Sequence, residues 1–284
     1  MKISDKIYYV GVNDVIKDLF EGLWPLPFGV SYNSYVVKDE KVALIDTVEA
    51  GFEEEFLAEI EEAIGDRPVD YLIVNHMEPD HSSLTAYMLD RYPEMKIVAN
   101  AKTMPMLKGY YDVDEDRVVI VGEGQTLSLG TCTLRFHMIP MVHWPETMVT
   151  YFEEEKTLFS GDAFGTFGAV DESVRDDEDT FGMYSDEMIR YYSNIVGKYG
   201  TPVQTALKKL SALEIKRICS THGPVWEKQI PEVIALYDRL SRYEVEHGVC
   251  IVYGSMYGNT AEAARSLALE LSSLGIPVAL HDLN

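Results

Sequence analysis

The chain has 284 residues, with 46% hydrophobic and 25% charged, more than one compact core usually needs and fewer than two full domains usually take. Mean hydropathy is near zero and no apolar run is long enough to cross a bilayer, which excludes a helical membrane protein and a disordered chain. A net charge of −23 would repel a phosphate backbone or an anionic membrane surface, so neither is an expected partner.

The start, MKISDKIYYVGV, lacks a basic segment followed by a long apolar stretch and a cleavage site, and a cytoplasmic location is expected. The β-branched and aromatic runs IYYVGV, SYNSYVV and KVALIDT read as strands in hairpin-like succession. GFEEEFLAEIEEAIG follows as an amphipathic helix, with Phe52, Phe56, Ile60 and Ile64 on one face and a solvated run of Glu opposite. The strand YLIVN runs into VNHMEPDHSS, and KIVA, RVVIV, TCTLRFH, TMVTYF and TLFSG continue the series. A helix-rich insert at about 183–212, whose Tyr184, Tyr191, Tyr192 and Tyr199 read as packing, precedes the strand RICST and a helix over 229–245. Strands first in hairpins and then alternating with helices predict an α/β (α+β) chain, with mixed sheets flanked by helices as an αββα sandwich. Cys132, Cys219 and Cys250 show no CxxC spacing, so buried or half-buried thiols in strands are expected rather than disulfides or a thiolate metal site.

The segment VNHMEPDHSS places His76, Glu78, Asp80 and His81 directly after a strand. Alternation along an extended segment would point His76, Glu78 and Asp80 the same way, and a turn at Pro79 would bring His81 round to a second metal. His143, Asp162 and His222 recur at other strand ends, and Gly161 leaves the Asp162 carboxylate free to bridge two cations. Each residue alone reads as a turn cap or a surface histidine. Together, four of the seven histidines and three carboxylates at strand ends predict a two-metal site with imidazole and carboxylate donors.

HxExDH followed by separated His, Asp and His resembles the flavodiiron (A-type flavoprotein) branch of the metallo-β-lactamase superfamily. EGLWPLPFGVSYNSY, HWPETM, SGDAFG and THGPVW resemble family segments around the ligands, and the likeness covers essentially the whole chain. The resemblance implies a metallo-β-lactamase-like domain holding two iron ions. One iron would take His76, Glu78 and His143, the other Asp80, His81 and His222, with Asp162 as bridge and His81 the first ligand to drop. Hydrolytic members read HxHxDH; Glu78 in place of the second histidine makes the site richer in carboxylate, which favours iron over zinc. The implied activity is reduction of O2 to water or of nitric oxide to nitrous oxide, with electrons supplied through FMN from a donor protein or reduced cofactor. A homodimer or dimer of dimers is implied as well. The aromatics Trp24, Phe28, Trp144, Phe164, Phe167 and Tyr192 are read as a pocket wall, with core packing the alternative for each.

Behind this domain, placed at 1–247, the strand VCIVYG enters the loop Ser255, Met256, Tyr257, Gly258, Asn259 and Thr260 and then a helix. Hydroxyls, a glycine and a helix N-terminus suit a phosphate, and the loop resembles that of flavodoxins. Residues 248–284 are therefore expected to be the start of a flavodoxin-like βαβ domain, with FMN bound weakly or not at all because later strands are missing. The lone edge of such a stub would be open to proteolysis. Two other functions fit the same residues: a di-iron sensor that binds O2 or nitric oxide without turnover, and a dinuclear zinc hydrolase.

Overall fold

Side chains alternate across the pleat of a strand, and here both sides of most strands are apolar, so each sheet must be covered twice. The computed structural model describes residues 1–170 and 173–283, and the expected αββα sandwich is present. β1 (Ile7–Tyr9) is followed by β2 (Val12–Asp14), β3 (Leu19–Phe20), β4 (Trp24–Pro25) and β5 (Val30–Tyr32), which pair as two antiparallel ribbons, β2 with β5 and β3 with β4. β6 (Tyr35–Lys38) and β7 (Val42–Ile45) form a hairpin, and α1 (Glu53–Ile64) leads to β8 (Tyr71–Ile73). The short α2 (Pro79–Ser82) and α3 (Thr85–Arg91) precede β9 (Lys96–Asn100), α4 (Thr103–Tyr111) and β10 (Val118–Val121). The first sheet runs β1-β6-β7-β8-β9-β10, antiparallel as far as β7 and parallel beyond it.

The second sheet begins with β11 (Thr126–Ser128), β12 (Thr133–Met138), β13 (Met148–Phe152) and β14 (Thr157–Gly161), all antiparallel. After α5 (Thr180–Tyr191) and α6 (Gly200–Leu210), β15 (Arg217–Ser220) joins β14 in parallel, and α7 (Ile230–Ser241) closes the layer. Between the sheets Val37, Ala43, Ile45, Ile73 and Val98 share a core with Leu134, Phe136, Phe152 and Phe159. The intervening residues Val36, Leu44, Leu72 and Ile97 lie in the outer core with Phe56, Ile60 and Ile64 of α1. Each of the Val, Leu, Ile and Phe side chains contributes roughly 1.5–3 kcal/mol by leaving water. α1 carries Glu53, Glu54 and Glu55 in its first turn, where negative charge suits the helix dipole, and stops at Gly65, whose φ is 66°.

Three local expectations change. The VNHMEPDHSS segment is extended only as far as Glu78, because Pro79 opens α2 and Ser82 and Ser83 bond back to carbonyls of residues 77–79. Asp80 therefore turns away from His76 and Glu78. The insert begins at Thr180 and contains a π-helical turn, Tyr192–Val196, between α5 and α6, a feature often found beside functional sites. Cys132 and Cys219 are buried, but Cys250 is exposed.

The chain divides into two compact units, Met1–Arg242 and Tyr243–Asn284. In the second, β16 (Val249–Tyr253), α8 (Asn259–Ser273) and β17 (Val278–Asp282) form a βαβ unit with its two strands parallel. Gly258, at φ 88°, makes the turn into α8, and Met256 and Tyr257 in the same loop are exposed.

Candidate metal centre

β14 runs antiparallel to β13 and β15 parallel to β14, so the ends of β14 and β15 lie at the same edge as the β12–β13 connection. Asp162, His222 and His143 sit there, and the loop after β8 brings His76, Glu78, Asp80 and His81 to meet them. All seven side chains are buried. His76, Glu78, His143 and Asp162 form one group able to hold a metal ion, and Asp80, His81 and His222 form a second.

Asp162 stands between the groups with one oxygen facing each. Its Oδ2 lies 3.2 Å from both His76 Nε2 and His143 Nε2, whereas its Oδ1 lies 3.0 Å from His81 Nε2 and 3.9 Å from His222 Nε2. Glu78 Oε2 is 2.9 Å from His143 Nε2 and 3.4 Å from His76 Nε2. Asp80 Oδ2 is 3.2 Å from His81 Nε2 and 3.3 Å from His222 Nε2. Several of these approaches are close without the alignment of hydrogen bonds: Asp80 Oδ1 and Oδ2, His81 Nε2, Asp162 Oδ2 and His222 Nε2 are buried and make none among the described residues. Convergent, orphaned lone pairs of this kind are costly unless a cation receives them. The residues present fit two metal ions.

Neighbours fix which ring nitrogen points inward. The Ser31 carbonyl accepts from His222 Nδ1 at 2.7 Å, and the Glu146 carboxylate accepts from His76 Nδ1 at 2.9 Å, so both Nε2 atoms face the centre. Thr221 Oγ1 donates to Asp162 Oδ1 at 2.7 Å. Asp46, held in the left-handed region at φ 55°, accepts from the backbone N–H and side-chain amide of Asn75 and so steadies the residue before His76.

Electrostatics follow from this crowding. Burial alone would push His76 down, but Asp162, Glu146 and Glu78 carry it up to about 10. Burial likewise opposes His143, which Asp162 and Glu78 raise to about 9. His81 is raised well above the usual imidazole range by Asp80 and Asp162, against its burial. Burial would raise Asp162, yet His76, His81 and His143 hold it well below the carboxylate range. Divalent ions bound at these atoms would displace any proton from the imidazoles.

The expected pocket aromatics disperse. Trp144 lies edge-on to His76, with ring centres 5.1 Å apart, and lines a cavity of about 340 Å³ with Glu21, His143 and Ile195. Trp24 is half-buried in β4. Phe164 and Tyr192 are buried against Tyr237, and Phe167 against Phe20 and Tyr191. Phe28 is on the surface, 68% exposed, because its neighbour Gly29 turns the chain at φ 67°.

Sequence reading missed the rings that enclose His222: Phe20, Tyr32 and Tyr191, with centres 5.4, 5.7 and 5.3 Å from the imidazole. It also missed Glu146 and Glu21. Glu146 follows His143 within HWPETM, a visible signal, but Glu21 comes from the distant β3–β4 turn. A hydrogen bond with Glu78, then burial, lifts Glu21 to about 7. Glu21, Lys17, Phe20, Glu49 and Asp80 line a second cavity of about 220 Å³ beside Glu78.

Buried carboxylates and imidazoles at the strand ends of an αββα sandwich define a metalloprotein of the β-lactamase fold class. A family model described as ODP family beta lactamase matches residues 30–223. The nitric oxide reductase of Moorella thermoacetica is 34% identical over 286 residues, 99% of this chain and 71% of that protein. The structure of rubredoxin oxygen:oxidoreductase from Desulfovibrio gigas superposes with a TM-score of 0.95 at 31% identity, over 99% of this chain and 71% of that one. The flavodiiron protein of Giardia intestinalis gives a TM-score of 0.93 at 32% identity, over 99% and 69%. The chain belongs to the ODP family of β-lactamase-fold proteins and, within it, to the flavodiiron proteins. No helix among the described residues is long and apolar enough to cross a membrane.

Proposed function

We propose that this chain is a di-iron oxidoreductase that reduces O2 to water or nitric oxide to nitrous oxide. The division of Asp162, one oxygen toward each donor group, carries this reading, since a carboxylate so placed suits a bridge between two cations. His76, Glu78 and His143 would hold one iron, and Asp80, His81 and His222 the other. His81 Nε2 lies within 3.2 Å of both Asp80 Oδ2 and Asp162 Oδ1 and is kept as a ligand.

Iron bound here would supply the redox chemistry and positions at which a diatomic molecule could bind. The chain's own part is to keep the carboxylates ionised and the imidazoles correctly turned. Glu146 and Ser31 present the Nε2 atoms of His76 and His222. Phe20, Tyr32 and Tyr191 exclude water from the His222 side, and the cavities beside Trp144 and Glu78 leave room for a diatomic molecule. Reduction of O2 to two waters takes four electrons and four protons, and reduction of two nitric oxide molecules to nitrous oxide and water takes two of each. A redox donor is therefore required.

In this reading residues 1–247 are the di-iron domain and 248–284 begin a flavodoxin-like domain, whose loop Ser255–Thr260 would cradle the FMN phosphate. The strand–loop–helix context of β16 and α8 supports it. A donor protein or reduced cofactor would load the FMN, and the molecule would work as a homodimer or dimer of dimers in the cytoplasm. Metal and flavin analysis of the purified protein tests the reading: about two irons per chain support it, and two zincs with hydrolytic activity overturn it. A reduced protein that forms a lasting O2 adduct and consumes nothing from an artificial donor would make it a sensor.

A further inference from the structure

Glu146 belongs to neither donor group, yet it is buried, with only 2% of its surface exposed, and its carboxylate reaches a donor imidazole. Burying a carboxylate that ligates nothing is costly unless it is hydrogen-bonded, and here Oε1 carries both bonds while Oε2 makes none among the described residues. Its Oε1 accepts from His76 Nδ1 at 2.9 Å and from the Met77 backbone N–H at 3.1 Å. Its own backbone is tied down, since its carbonyl accepts from Asn100 Nδ2 at the end of β9. The next residue, Thr147, accepts from Trp144 N–H through Oγ1 and donates back to the Trp144 carbonyl, and Met148 N–H donates to the Asn75 carbonyl. Glu146 thus rides on the loop that carries His143 while its side chain holds His76, the other imidazole of the same group.

We propose that Glu146 is a positioning residue: it locks the His76 ring with Nε2 inward, couples that ring to the His143 loop, and lends it negative charge. The physical basis is general, since a carboxylate behind a metal-bound imidazole fixes its tautomer and makes it a stronger donor, and loss of such a partner typically costs about 10–100-fold in metal affinity. The inference rests on the metal reading above and adds a residue to it. Charge behind His76 favours the ferric over the ferrous state, so it lowers the reduction potential of the iron that His76 would bind.

Wild type, E146Q and E146A are compared in two states. In the metal-free chain, nitrogen-edited proton NMR reads the hydrogen-bonded His76 Nδ1–H. Wild type and E146Q show this downfield signal, because the glutamine oxygen still accepts from His76 and Met77, and E146A loses it. In the iron-loaded chain, chelator challenge strips one iron from E146A about 10–100-fold more readily, and E146Q keeps both irons with a raised potential. An E146A chain with the wild-type His76 signal and wild-type iron retention overturns the proposal. So does an E146Q chain with an unmoved potential, which also decides the matter if E146A does not fold. Wild type that binds no iron removes the metal reading alone, and the metal-free spectra then decide whether Glu146 orients His76.

Discussion

Asp162 is the side chain on which both donor groups depend, and Thr221 holds one of its oxygens. Replacing Asp162 by Asn keeps the shape but removes the charge and one acceptor. Partners behind a ligand cost about 10–100-fold when lost, so a ligand shared by two ions should cost at least the upper end of that range in turnover. Iron per chain, measured by elemental analysis, should fall below two in D162N. Gly223 follows His222 at φ 78°, and a Cβ there would overlap Thr166 Cγ2. G223A is expected to lower Tm and to weaken iron retention together, because Thr166 and the His222 turn cannot both stay in place. Gly223 N–H also donates to Ser31 Oγ, beside the carbonyl that orients His222.

At the scale of elements, the β6–β7 turn is bound to the β11–β12 turn by Asp39. Its carboxylate accepts from Lys6 Nζ at 2.7 Å and from the Thr131 and Cys132 backbone N–H groups at 2.6 and 2.7 Å, which joins the two sheets. Burial would raise Asp39, but these donors hold it below the usual carboxylate range. A depressed folded pKa adds stability above the unfolded value, near 3.9, and that stability is lost as pH falls through the folded value. D39N should therefore cost about 1–3 kcal/mol at neutral pH, with the gap to wild type narrowing in denaturation curves below about pH 4. A gap that stays constant into acid would show that the charge does nothing. The sequence conveyed the strands well, since both-faced apolar runs such as VALI in β7 have few other uses. It conveyed α2 poorly: extended alternation and a proline-initiated turn compete over Glu78, Pro79 and Asp80, and only the carbonyls available to Ser82 and Ser83 settle which prevails.

At the scale of the molecule, the residues that the fold gathers into the two donor groups were legible because strand-end histidines and acidic residues stand out in a single chain. The enclosing rings were not, because Phe20, Tyr32 and Tyr191 lie far apart in sequence and look like ordinary core until the fold brings them round His222. Two compact units predict separable roles. A chain ending at Arg242 should hold as much iron as the full chain, whereas any FMN affinity, followed by flavin fluorescence, should disappear with residues 243–284. Loss of iron from the shortened chain would contradict that division. The central claim is a redox-active iron pair, and it is tested most directly by Mössbauer spectroscopy of anaerobically loaded ⁵⁷Fe protein before and after addition of O2 or nitric oxide. Two ferrous ions per chain should be present before the gas and both should oxidise after it. A chain that takes up zinc in preference to iron, or iron that never changes state, would contradict the account.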